Sequence, residues 1–276
     1  MGLRIATNIS ALAGQRSLSK VQREKSSSLE KLSSGSRINK AGDDAAGLAI
    51  SEKLKSDIRG NRQATRNAGD GISLIQTAEG GLNEVNSILI RLRELSVQSA
   101  SDTIGDRERS FSDMEFQQLV TEVDRIAGST KFNGKDLLSG EGDQLDFQIG
   151  ISNDGSKDRI SFDPSLQSAK IGDIGIEGLS VASKGGAQEN LDTLDEAITN
   201  VSGNRARLGA LQNRLQSTVN NLDTQTENLA AANSRIRDTD VAVVSSELAK
   251  NNILEQSSTS VLAQANGMGA AALKLI

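Results

Sequence analysis

From Leu194 to Ile236 an apolar residue occupies every seventh position: Leu194, Val201, Leu208, Leu215, Leu222, Leu229 and Ile236. A repeat of seven kept over this length returns one stripe of an α-helix to the same partner, turn after turn. At ~1.5 Å per residue the helix would be about 63 Å long. The companion positions are mixed: Leu191, Ile198, Arg205, Gln212, Val219, Thr226 and Asn233. A two-stranded zipper favours a better-filled second seam, so the pattern predicts a helix in a multi-helix bundle, with polar groups setting its register. A second heptad-like run, Ile75, Ala78, Leu82, Val85, Leu89 and Leu92, supplies the natural partner seam.

The flanks are also helical in pattern. Over residues 4–33, Ile5, Ile9 and Leu12 share a face, and Leu29 and Leu32 recur on a similar one. A polar connector follows, and Asp43 or Asp44 stands where an N-cap would open the next helix. That helix covers 45–66, and Asn67-Ala68-Gly69-Asp70-Gly71 is expected to loosen or interrupt it. A further helix carries Phe116, Leu119, Val123 and Ile126. Residues 129–185 change character. Leu145, Phe147, Ile149 and Ile151 alternate and predict a half-buried strand over 145–151, Asn153-Asp154-Gly155 signals a hairpin turn, and Ile160 and Phe162 form the return strand, ended by Pro164. After a hinge at Asp238-Thr239-Asp240, residues 240–265 form another amphipathic helix through Val244, Leu248, Val261, Leu262 and Ala265. Gly267 and Gly269 leave its end open.

The fold class is therefore mainly α: a long antiparallel bundle of the N- and C-terminal halves, with a small β-hairpin element in the middle. Both terminal helices carry too little apolar surface to be stable alone, so each needs a partner, either the other or a second copy of the chain.

Composition narrows the chemistry. The chain has no His, Cys, Trp or Tyr and a single Pro. The usual zinc sites, thiol nucleophiles and His-based triads are excluded. Asn153-Asp154-Gly155-Ser156-Lys157-Asp158 resembles the start of a calcium loop, but its twelfth position is Pro164, so a hairpin turn is the better reading. Gly80-Gly81 lies inside a helical pattern without the strand of a dinucleotide fingerprint. A carboxylate, Lys or Ser–Lys mechanism stays open in principle, but no motif points to one, and no enzyme activity, cofactor or metal is expected. Residues 1–66 hold 13 Lys+Arg against 6 Asp+Glu, while the whole chain is at −5. This basic excess reads as a solvated helix face meeting acidic neighbours. Aromatics at 2% argue against base stacking, and no apolar run reaches the ~20 residues of a membrane span. Neither nucleic-acid binding nor membrane insertion is expected. The start, Met1-Gly2-Leu3-Arg4-Ile5-Ala6-Thr7, lacks an apolar core followed by a cleavage site, which predicts no cleaved export signal.

Three stretches resemble the bacterial flagellins. They are Ile5-Ala6-Thr7-Asn8-Ile9-Ser10-Ala11-Leu12; the run from Leu29 to Ile50 through Ser33-Ser34-Gly35-Ser36-Arg37-Ile38-Asn39-Lys40-Ala41-Gly42-Asp43-Asp44; and the C-terminal Ala232-Asn233-Ser234-Arg235-Ile236-Arg237-Asp238-Thr239-Asp240 with Val261-Leu262-Ala263-Gln264-Ala265-Asn266. The resemblance implies an inner domain lining a filament channel, residues 1–42 plus 238–276, and a helical rod domain, 43–237, with the β element at about 129–185 and no outer variable domains. It implies a structural subunit of the flagellar filament, extracellular, polymerising through Ile5, Ile9, Leu12, Leu29, Leu32, Val244, Leu248, Val261 and Leu262. The rod seam would be Ile75, Leu82 and Leu89 with the heptad leucines named above. Implied partners are further copies of the chain, the export apparatus with a chaperone for the C-terminal segment, and the filament cap and hook-junction proteins. An animal innate immune receptor would recognise a patch matched here by Arg91, Leu95 and Glu115. The alternative is a hook–filament junction adaptor, which shares such terminal helices.

Overall fold

The computed structural model describes residues 7–273. In chain order it comprises α1 (Ile9–Ser34), α2 (Ala45–Ser99), α3 (Asp106–Ser129), the short strands β1 (Lys131–Phe132), β2 (Lys135–Asp136), β3 (Leu145–Gln148) and β4 (Arg159–Phe162), a single 3₁₀ turn (Pro164–Gln167), α4 (Lys184–Arg237) and α5 (Val241–Leu273). The fold is mainly α with a small antiparallel β element. Contacts group the chain into two compact units: unit 1 is Met1–Ile58 with Glu227–Ile276, and unit 2 is Arg59–Thr226. Helices α2 and α4 contribute residues to both. Among the described residues no helix is long and apolar enough to cross a membrane.

In unit 1, α1 and α5 pair antiparallel. The Asn8 side chain caps α1 by accepting from the Ala11 amide at 3.0 Å, and its Nδ2 donates to the Ala265 carbonyl at 2.8 Å. Leu262 lies over Gly14, and Lys25 meets Glu255 at 2.8 Å. α1 ends where Gly35 takes φ 67°, the left-handed turn that glycine adopts most readily. The two helix breaks are stitched together: the Arg37 amide donates to the Arg237 carbonyl at 2.6 Å and the Thr239 amide to the Gly35 carbonyl at 3.0 Å. Asp44 opens α2 by accepting from the Gly47 amide at 2.8 Å. Asp43 instead closes the connector, accepting from the Asn39 and Lys40 amides at 3.0 Å, and these bonds hold its carboxyl below the usual aspartate range.

In unit 2, α2, α3 and α4 bundle around a leucine-rich core. α2 and α4 run antiparallel, with Arg93 on Asp195 at 2.5 Å and Thr65 near Asp223 at 3.5 Å. The expected interruption at Asn67–Gly71 does not occur, and α2 passes through it unbroken. Of the two glycines there, Gly71 is a packing residue: a Cβ on it would stand 3.2 Å from the Phe147 ring and 3.3 Å from Leu215, whereas one on Gly69 would meet nothing within 4 Å. α5, whose end the sequence leaves open, continues past Gly267 and Gly269 to Leu273.

The β element differs in detail from its pattern. β3 stops at Gln148, because the Ile149 and Gly150 amides both turn to the Asp158 carbonyl, at 2.8 and 3.2 Å. Asn153-Asp154-Gly155 sits in a longer loop closed by Asp154, whose carbonyl accepts from the Asp158 amide at 2.8 Å. The two-residue hairpin turn is elsewhere, at Asn133 (φ 49°) and Gly134 (φ 77°) between β1 and β2. Asn-Gly is the dipeptide that suits this turn, since both positions need positive φ.

Candidate assembly surfaces

The heptad positions separate into buried and half-buried groups. In unit 2, Leu194, Val201, Leu208, Leu215 and Leu222 are buried, as are Ile75, Leu82, Leu89 and Leu92 of α2. Ile75, Leu82, Leu89 and Leu92 share one continuous core with Leu194 to Leu215, which also takes in Phe116, Val120 and Val123 of α3 and Ile160 and Phe162 of β4. In unit 1, Leu229 and Ile236 continue the repeat but are only half-buried. Polar groups fill that level instead: the Ser51 hydroxyl donates to Asn233 Oδ1 at 2.8 Å, and Arg237 bonds Glu52. Hydrogen bonding by the Arg237 guanidinium holds the Glu52 carboxyl below its usual range, with help from Lys55.

The terminal apolar set divides in the same way. Ile5 lies outside the described residues. Val244 is buried, and Leu32, Leu248 and Leu262 are half-buried, so these four pack within the chain itself. Ile9 at 60% exposure, Leu12, Leu29 and Val261 face outward. Periodicity missed further outward residues of unit 1: Ile50, Val241, Val243, Leu254 and Ile253, the last 68% exposed. A helix with one apolar stripe shows its buried face in the sequence. α5 is apolar on more than one side, and no single stripe announces which side its partner takes.

Arg91, Leu95 and Glu115 do not present a common surface. Arg91 bonds Glu115 at 2.9 Å and Glu94 at 3.0 Å on the outside of the bundle, while Leu95 is buried beneath. Those two carboxylates raise the Arg91 pKa, the bond to Glu94 contributing most. The sequence reading also missed Arg109. Its side chain is buried at the α2–α3 turn, where it donates to the Ser99 and Ser101 carbonyls and pairs with Asp106 at 2.7 Å. A lone arginine in a polar stretch carries no pattern that would reveal this.

Among the described residues no group of three or more acidic side chains could hold a metal ion. What the described residues offer is a core shared by the helices and the β element in unit 2 and, in unit 1, a helix pair with apolar side chains left outside. Residues 5–143 match the bacterial flagellin N-terminal helical region, and 191–276 match the bacterial flagellin C-terminal helical region. The chain belongs to the bacterial flagellin family. It is 46% identical over 269 residues to a flagellin of Halalkalibacterium halodurans, covering 98% of both chains. It is 44% identical over 282 residues to the flagellar filament 33 kDa core protein of Treponema phagedenis, again covering 98% of each. The crystal structure of Bacillus cereus flagellin superposes with a TM-score of 0.50 at 31% identity, covering 61% of this chain and 94% of that one. Flagellins are structural filament proteins, and the chain is not an enzyme.

Proposed function

We propose that this flagellin is the repeating subunit of a bacterial flagellar filament outside the cell, and that unit 1 supplies its polymerising surface. The observation that carries this is the outward apolar set on α1 and α5. Ile9, Leu12, Val241, Val243, Ile253 and Val261 remain exposed after the two helices have packed on each other. Apolar surface left on a fold with an otherwise complete core calls for a further partner. Repeated contact with identical copies through non-identical faces does not close, so it grows a helical polymer.

In this reading residues 1–42 with 238–276 form the inner layer and 43–237 the rod around it. Between the two family regions only residues 144–190 are unmatched, and they hold β3 and β4, which supports a slim filament without outer domains. Before assembly the exposed side of α5 suits an export chaperone that masks it on the way to the export apparatus. The cap and hook-junction proteins would meet the same terminal helices at the filament ends. An immune receptor reading Arg91 and Glu115 would have to do so from the free chain's surface, with Leu95 acting from below as packing.

Electron microscopy of the purified chain with short filament seeds tests the reading, beside a version lacking residues 1–30. Long filaments from the intact chain alone are expected. A chain that stays monomeric at every salt concentration, or adds only short stubs, would favour the junction adaptor.

A further inference from the structure

Among the described residues, two charged stripes in unit 2 have no ion-pair partner. On α2, Arg59, Arg62 and Arg66 stand at positions i, i+3 and i+7, all exposed. On α4, Glu189, Asp192 and Glu196 stand at the same spacing, also exposed. Among the described residues none of the six joins an ion pair, although neighbours on the same helices do, such as Lys55 with Glu52 and Arg93 with Asp195. Arg66 bonds only the neutral Gln63, and the basic stripe ends at Asp70, one turn further on. Like charges three and four apart on a helix repel, so each stripe destabilises its own helix. Each would be relieved by the other's sign.

The two stripes cannot meet within one chain. The Arg93–Asp195 contact sets the antiparallel register and places Asp192 level with residues near Ser96 of α2. From Arg62 to that level is about 50 Å along the helix, at ~1.5 Å per residue. A second copy of the chain, pointing the same way and displaced by about 50 Å along α2, would bring its acidic stripe beside the basic stripe of the first. The facing helices would then run antiparallel, pairing Arg59 with Glu196, Arg62 with Asp192 and Arg66 with Glu189.

We propose that the Arg59–Arg62–Arg66 stripe docks on the Glu189–Asp192–Glu196 stripe of the next copy, and that this contact sets the axial step between subunits. It rests on the filament reading above. The contact is heterologous and does not close, so every added subunit presents the same pair of stripes again. Charges aligned along a rim guide register and speed encounter more than they add affinity, which is what stacking of identical rods requires.

Charge reversal tests it. One variant carries Arg62→Glu with Arg66→Glu, a second Asp192→Arg with Glu196→Arg, and a third all four changes. Circular dichroism and thermal unfolding verify that each folds, and seeded elongation is followed with seeds of the same variant. Each two-site reversal is expected to raise the concentration needed for elongation about tenfold at low salt. The four-site variant should return to within a few-fold of the wild type, and the differences should shrink as salt screens the charges. Unimpaired two-site reversals, or a four-site variant no better than either, would overturn the contact while a growing wild type leaves the filament reading intact. A wild type that does not elongate overturns both.

Discussion

The Arg109 Nε donates to the Ser99 carbonyl at 2.9 Å, tying the first turn of α3 to the last turn of α2. A second donor of the same guanidinium reaches the Ser101 carbonyl at 3.0 Å. Helix ends leave carbonyls without internal partners, and here a buried charge supplies them. Arg109→Ala removes both donors and leaves the buried Ser99 carbonyl unpaired, while the Ser101 carbonyl keeps the Ile104 amide, so unfolding should become easier by about 1–3 kcal/mol. Arg109→Lys should recover only part, because an ammonium cannot span both carbonyls with a fixed fork. Urea unfolding of the three proteins measures this.

Gly80 and Gly81 are neighbours in α2 with opposite expectations. Nothing lies within 4 Å of a Cβ built on Gly80. Gly80→Ala should therefore stabilise, by up to about 1 kcal/mol from helix propensity and a less flexible unfolded chain. A Cβ on Gly81 would stand 2.7 Å from Leu138 and 2.8 Å from the Thr130 hydroxyl, itself bonded to the Ile126 carbonyl at 2.7 Å. Thr130 is short and tethered, so Gly81→Ala should destabilise by about 1–2 kcal/mol despite the same propensity gain. Equal shifts in the two unfolding midpoints would show that Thr130 and Leu138 yield freely.

These glycines show where the sequence was legible and where it was not. The heptad phase placed Leu194 through Leu222 and Ile75 through Leu92 in the core, because one helix face repeats and a local pattern records it. The same repeat also marked Leu229 and Ile236, which are only half-buried, since a period gives direction but not the extent of the partner. The break expected at Asn67–Gly71 failed for a related reason. Glycine is a local signal for interruption, but Gly71 is set by Phe147 and Leu215, far away in sequence. The outward face of α5 was hidden because both of its sides are apolar.

Acid should weaken unit 2 through its surface pairs. The Asp195 carboxyl is lowered chiefly by hydrogen bonding to Arg93, and Asp102 by hydrogen bonding to Lys184. A carboxylate whose folded pKa is lowered contributes stability that is present above its unfolded pKa and is lost as pH falls through the folded one. The urea midpoint should therefore drop on acidification below the ordinary aspartate range. Both groups are exposed, so the effect is small and salt should reduce it further. Asp195→Asn should flatten that part of the profile; an unchanged profile would mean that Arg93 and Asp195 do not hold each other in solution.

Polymerisation and folding should separate at Ile253. It is 68% exposed on α5, so Ile253→Ser removes little that the chain buries on its own, and surface changes of this kind fall within about 0.5 kcal/mol. In a filament that covers this face, the lost apolar area would be felt at every subunit, at about 25 cal/mol per Å². The expected result is unfolding that matches the wild type together with a raised concentration for seeded elongation. Val244→Ser should behave in the reverse manner. Val244 is 7% exposed and packed inside unit 1, so its loss destabilises the folded chain first, and assembly suffers only as a consequence. Thermal unfolding and elongation measured on both variants decide the matter, and equal effects on both assays would mean that the exposed face of α5 plays no separate part in assembly.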